Sequence, residues 1–143
     1  MRRGSGVMLL AALVWLAAGS PAVWADDLTG AQQLLCTAVQ ATKCAEDGDC
    51  YQDLPWNLNV PQFIVVDLAA KRLSTTKASG ENRTTPIRTM ERADGALYIQ
   101  GIEQGHAFSF VISESTGTLS AAVALDGQSV SIFGGCTPMS AAK

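Results

Sequence analysis

From residue 62 onward, apolar and polar positions alternate with a period of two, the spacing of strands with one face buried. The pattern predicts strands over 62–68, 72–77, 84–92, 97–103, 106–113, 118–125 and 128–134. The connections between them are rich in turn residues: Ala93-Asp94-Gly95, Gln104-Gly105, Glu114-Ser115-Thr116-Gly117 and Asp126-Gly127. Connections this short make consecutive strands antiparallel neighbours. Alternation places Phe108, Phe110 and Ile112 on one face of their strand, Leu119, Ala121, Val123 and Leu125 on one face of the next, and Val130, Ile132 and Cys136 on one face of the last.

Before residue 62 the pattern is different. Leu28, Ala31, Leu35, Val39 and Thr42 recur at helical spacing, with Gln32, Gln40 and Lys43 off the stripe, and Asp26-Asp27 stand where a helix would be capped. This predicts an α-helix over 28–43, followed by an irregular stretch holding Pro55, Asn57 and Asn59. The fold class that follows is mainly β: an up-and-down antiparallel meander of about seven strands curled into an open barrel. The N-terminal α-helix covers one opening or face.

The first 25 residues read as an export signal rather than as part of this fold. Arg2 and Arg3 are followed by twelve uninterrupted apolar residues, 7–18, then by Gly19-Ser20-Pro21 and a cleavage pattern ending at Ala25. Twelve residues fall short of the ~20 that span a bilayer. The domain is therefore 26–143, periplasmic or secreted and not membrane-spanning. Without Arg2 and Arg3 it carries 13 acidic against eight basic residues, a net charge of −5.

Four cysteines, Cys36, Cys44, Cys50 and Cys136, remain in an exported domain of this size, an arrangement that reads as two disulfides. Cys44 and Cys50 flank the turn-rich Ala45-Glu46-Asp47-Gly48-Asp49, which favours Cys44–Cys50 with Cys36–Cys136. On a helix, Cys36 and Cys44 would stand about 12 Å apart at ~1.5 Å per residue, too far to bridge. Cys36–Cys50 with Cys44–Cys136 stays open. No C-x-x-C pair occurs and His106 is the only histidine, so neither the usual zinc spacings nor a thioredoxin-like redox pair is present. The sequence calls for no metal and no cofactor.

Candidate chemistry is sparse. His106 has an ordinary pKa near neutrality, but no G-x-S-x-G marks a nucleophile for it, and a non-enzymatic protein is expected. The acidic Glu46, Asp47, Asp49 and Asp53 do not follow a calcium-loop order. Asn82-Arg83-Thr84 matches the glycosylation acceptor pattern, meaningful only in a eukaryotic host. The charge distribution is polarised: Lys71, Arg72, Lys77, Arg83, Arg88 and Arg92 are six of the eight bases and lie within 22 residues. They offer a patch for an anionic partner such as an envelope protein, an anionic glycan or a lipid headgroup; ordinary protection of an edge hairpin is the plainer role for the same charges. An acidic exported domain without a basic-aromatic array is not a nucleic-acid binder.

Three stretches, Leu73-Ser74-Thr75-Thr76-Lys77-Ala78-Ser79-Gly80, Phe108 to Gly117, and Phe133-Gly134-Gly135-Cys136-Thr137-Pro138, resemble a family of small uncharacterised exported proteins of proteobacteria. The resemblance implies a periplasmic setting and supplies no activity. A looser likeness is to periplasmic lysozyme inhibitors, small disulfide-braced barrels that insert a Ser/Gly loop ending in tyrosine. Ser79-Gly80 matches the loop, but no tyrosine follows before Tyr98. The function expected is a non-enzymatic periplasmic binding or accessory protein acting through its β-surface and the 71–92 hairpin. The alternatives are a lipocalin-like carrier, with Phe108, Phe110, Leu119, Val123 and Ile132 lining an apolar cavity, or a periplasmic enzyme inhibitor.

Overall fold

A computed structural model describes residues 27–139 of the chain. The signal expected over 1–25 lies outside the described residues. Ten strands follow one another: β1 Gln33–Ala45, β2 Cys50–Asp53, β3 Phe63–Asp67, β4 Arg72–Thr75, β5 Thr84–Pro86, β6 Thr89–Ala93, β7 Ala96–Glu103, β8 His106–Ser113, β9 Thr118–Leu125 and β10 Gln128–Pro138. Nine form one antiparallel sheet in the order β5-β4-β3-β1-β10-β9-β8-β7-β6, and β2 pairs with the second half of β1. The sheet curls into a half-barrel whose two outermost strands, β5 and β6, are consecutive in the chain.

Those two strands are separated only by Ile87-Arg88. The Ile87 amide still donates to the Lys71 carbonyl (2.9 Å), while the Arg88 amide donates to the Gln100 carbonyl (2.9 Å). The single strand expected over 84–92 is thus two, because midway along it the chain leaves one edge of the sheet for the other. Gly101 in β7 permits the approach: a Cβ there would collide with the Phe108 ring and lie 3.1 Å from the Pro86 carbonyl oxygen.

The expected N-terminal helix does not form; among the described residues there is no α-helix. The segment is β1, the central strand that joins the two meanders. The reason is a β-bulge. Ala38 pairs with Gly134 and Gln40 with Phe133, leaving Val39 without a partner. Before the bulge Leu34, Cys36 and Ala38 face inward; after it Ala41 does. The extra residue shifts the inward phase of β1 from even to odd positions, so the buried residues 34, 36, 38 and 41 keep no single alternation. The stripe at 28, 31, 35, 39 and 42 that suggested a helix joins buried Leu28 to exposed Val39. The strand count therefore rises to ten, with β2, four exposed residues, having no alternation to betray it. Gly134 opposite the bulge is required, since a Cβ would overlap the Thr37 carbonyl oxygen and lie 3.3 Å from the Ala38 Cα.

Both disulfides link residues that face each other across paired strands. Cys36 is opposite Cys136 in the β1–β10 ladder, and Cys44 is opposite Cys50 in the β1–β2 hairpin. The favoured pairing is present, although ladder register rather than helix geometry produces it, and the connectivity left open does not occur. Two disulfides fit an oxidising compartment. Among the described residues no helix is long and apolar enough to cross a membrane.

The two ends of the half-barrel differ. At one, residues 27–32 fold across the opening. The Leu28 amide donates to the Glu114 carbonyl (2.8 Å), Leu68 N–H to the Gln32 carbonyl (2.9 Å), and Leu28 is 2% exposed. Arg92 ties the plug down, pairing with Glu114 (2.8 Å) and donating to the Ala31 carbonyl (3.4 Å). Beneath it Leu34, Val66, Leu97, Ile99, Ile112 and Cys36 are almost wholly buried. An irregular segment, and not the expected helix, closes this end.

Asp67 sits at the rim of that end, buried yet ionised. Its carboxylate accepts from the Ala70 amide (2.8 Å) and from the Gln33 side-chain amide (3.0 Å), with Arg72 at 3.6 Å. The Ala70 hydrogen bond, helped by Gln33 and Arg72 and opposed by desolvation, holds its pKa below the usual carboxylate value.

Candidate functional site

The opposite end contains a cavity of about 220 Å³. It is formed where β1, β4, β7 and β9 finish and where β3, β5, β8 and β10 begin. Its floor is apolar: Ile64, Leu73, Phe108, Phe110, Val130 and Ile132 all face inward. The Phe108 and Phe110 rings stand 5.4 Å apart, tilted by 50°, one directly over Gly101. Both project from the same face of β8 because they are two residues apart.

Two loops border the mouth. In the first, Pro55–Leu58 makes a 3-10 turn that follows Asp53, whose carboxylate accepts from the Leu54 amide (2.7 Å) and the Asn57 side chain (2.9 Å). The Asn57 bond chiefly, then the Leu54 bond, lowers the Asp53 pKa, so the carboxylate holds this turn at any pH above the usual acid range. The turn delivers Leu58, Asn59, Val60 and Pro61 to the cavity wall. The second loop, 76–83, is anchored by Ser79, whose hydroxyl donates to the Phe63 carbonyl (3.0 Å) and accepts from the Phe63 amide (3.1 Å).

Arg83 joins the two loops. Its guanidinium donates to the Asn59 side chain and carbonyl (3.3 and 3.4 Å), pairs with Glu81, and lies 4.0 Å from Glu103. It is a structural clasp with its charge already matched. His106 lines the same mouth, opposite Glu103 across the Gln104-Gly105 turn.

Lys43 is different. It lines the cavity and has no carboxylate within 4 Å among the described residues. The bulge at Val39 puts it there. Without the extra residue, β1 would keep Thr42 on the inner face and turn Lys43 outward. The helical reading placed Lys43 off the apolar stripe, so the one unpaired cation of the cavity was not legible from periodicity.

Of the five residues assigned by alternation to an interior cavity, Phe108, Phe110, Val123 and Ile132 line it. Leu119 belongs to the packed half, at 3% exposure. The six basic residues expected to form one patch are dispersed. Arg72 pairs with Asp67, Arg83 with Glu81 at the mouth, and Arg92 with Glu114 at the closed end. Lys71, Lys77 and Arg88 remain exposed, but Lys71 precedes β4 and Lys77 follows it, so they lie at opposite ends of that strand. No group of three or more histidine, cysteine or acidic side chains that could hold a metal ion occurs among the described residues.

The cavity thus combines an apolar floor, a polar mouth and two pinned loops. No family model, curated protein or solved structure matches the chain.

Proposed function

We propose that this is a non-enzymatic binding protein of an oxidising compartment such as the periplasm, and that its binding site is the cavity at the open end. The observation that carries the reading is the contrast between a cavity of about 220 Å³ over Phe108, Phe110 and Ile132 and the filled interior a few residues further along the same strands. A ~100-residue domain gains stability by filling its interior, and the cavity forgoes part of that gain. The volume equals about seven waters at ~30 Å³ each. It lies below the ~300–1,000 Å³ of drug-sized sites, so the ligand is a small molecule with a short apolar body.

Native mass spectrometry of the oxidised protein recovered from an exporting host tests this. A non-covalent small-molecule adduct is expected, lost in Val123→Phe, whose ring occupies the cavity, with circular dichroism reporting that the variant is folded. Bare protein that also fails to take up added short-chain amphiphiles contradicts the reading.

A second reading, docking to an envelope protein through the β-surface, is supported by a row on the outer face. Ladder register puts Tyr98 opposite Val111, Val111 opposite Ser120, and Ser120 opposite Phe133, beside the bulged Val39. All four large apolar residues are exposed, Val39 at 69%. A pull-down from envelope extract separates the two: Val111→Glu with Phe133→Glu removes a specific partner if the face is a docking surface and changes nothing if the cavity alone acts.

A further inference from the structure

We propose that the cavity selects a small amphipathic anion, a short-chain carboxylate, and that the Lys43 ammonium is the anchor for its head. This rests on the cavity being the binding site and adds the ligand's charge and the residue that reads it.

The starting point is the uneven pairing of charge. Four charged or titratable side chains line the cavity: Lys43, Arg83, Glu103 and His106. Arg83 is already engaged by Glu81, Asn59 and Glu103. Glu103 faces that guanidinium. Lys43 alone among the lining cations has no carboxylate within 4 Å in the described residues. It is half-buried, and its neighbours across the ladders are Val130 on β10 and Tyr51 on β2.

Lys43 is only part-buried and its ammonium is not among the buried unpartnered atoms, so it reaches water at the mouth, and the bulge in β1 is what places it there. A regular β1 would present Thr42 to the interior and Lys43 to solvent. The bulge, accommodated by Gly134, reverses that. A lysine stem also suits the position: its methylenes extend along the apolar wall while the charged end reaches the polar mouth. A carboxylate placed there meets one unmatched positive charge, and its tail meets Val130, Ile132, Phe108 and Phe110.

The acidic tip Glu46-Asp47-Gly48-Asp49 lies beyond Lys43 on the same hairpin, but it is exposed and its field is screened by salt. A carboxylate head meets Lys43 directly, in a charge-assisted hydrogen bond at the edge of the apolar floor. The volume favours a chain of about octanoate's length over a long-chain fatty acid.

The test is isothermal titration of the oxidised protein with octanoate, 1-octanol and octylamine, in the native chain and in Lys43→Met and Lys43→Arg. The native protein is expected to bind octanoate at least tenfold more tightly than octanol and to reject octylamine. Lys43→Met is expected to lose that preference while still binding octanol, which also shows that the variant is folded. Lys43→Arg keeps the preference. Equal affinities for octanoate and octanol in the native protein, or an octanoate preference that survives Lys43→Met, overturn the assignment and leave the cavity reading standing. Failure of all three probes to bind overturns both.

Discussion

The closed and open ends of this half-barrel are built from the same strands, yet only one is filled. Toward the plug, inward positions carry Leu34, Val66, Leu97, Ile99, Ile112 and Leu119, none more than 3% exposed. Toward the mouth, the same inward rows continue as Ile64, Leu73, Phe108, Phe110, Val130 and Ile132, and a cavity opens between them. The covalent bracing follows the same division. Cys36–Cys136 ties β1 to β10 in the packed half, across 100 residues of chain, whereas Cys44–Cys50 closes a hairpin six residues apart near the mouth. The tightest packing and the long-range crosslink lie at one end, and the cavity at the other.

That division has consequences for stability. The largest concerns the disulfides. Replacing Cys36 and Cys136 by alanine is expected to cost about 4–5 kcal/mol, against about 2 kcal/mol for Cys44 and Cys50, since loop-closure entropy grows with loop length. Urea unfolding of the two double variants measures both, and equal losses would erase the distinction between the ends.

Next come truncations along one row. Ile112→Ala in the packed half is expected to cost about 3–4 kcal/mol through the cavity it opens. Ile132→Ala is expected to cost about 1–2 kcal/mol, because its side chain already borders empty space and so surrenders fewer contacts. Thermal or urea denaturation of the pair decides it, and a larger loss at Ile132 would mean that the open half is the better packed.

The smallest effect is a pH dependence at the closed end. Asp67 has a folded pKa held below its unfolded value, foremost by the Ala70 amide. Its contribution is therefore complete above about pH 4 and disappears as pH falls through the folded value. Asp67→Asn is expected to be less stable than the native chain at pH 7 and to show a flatter acid limb. An acid limb unchanged by Asp67→Asn would show that this carboxylate does not sense folding.

Much of the hairpin region was legible because alternation and turn chemistry agree there. Asp126-Gly127 and Gln104-Gly105 fall where the ladders reverse, and four of five residues assigned to an inner cavity line it. What failed had separate, local causes. The strand expected over 84–92 divides at Ile87-Arg88. A single unpaired residue, Val39, shifts the phase of β1, so its buried residues at 34, 36, 38 and 41 keep no single alternation. The same shift hid Lys43 from the cavity list. The dispersal of the basic residues was equally out of reach, since proximity in sequence cannot show that Arg72 and Arg92 are matched to Asp67 and Glu114 through tertiary contacts. The disulfide partners were legible despite the misread helix, because a hairpin turn between Cys44 and Cys50 leaves Cys36 and Cys136 to each other.

The most direct test of a packed end and a receptive end is a two-dimensional amide NMR titration of the oxidised protein with octanoate. The account predicts shifts confined to Lys43, Ile64, Leu73, Phe108, Val123 and Ile132 and their neighbours, with Leu34, Leu97, Ile112 and Leu119 unmoved. Shifts centred on the plugged end or on the outer row of Tyr98, Val111 and Phe133, or no shifts at all, would contradict it.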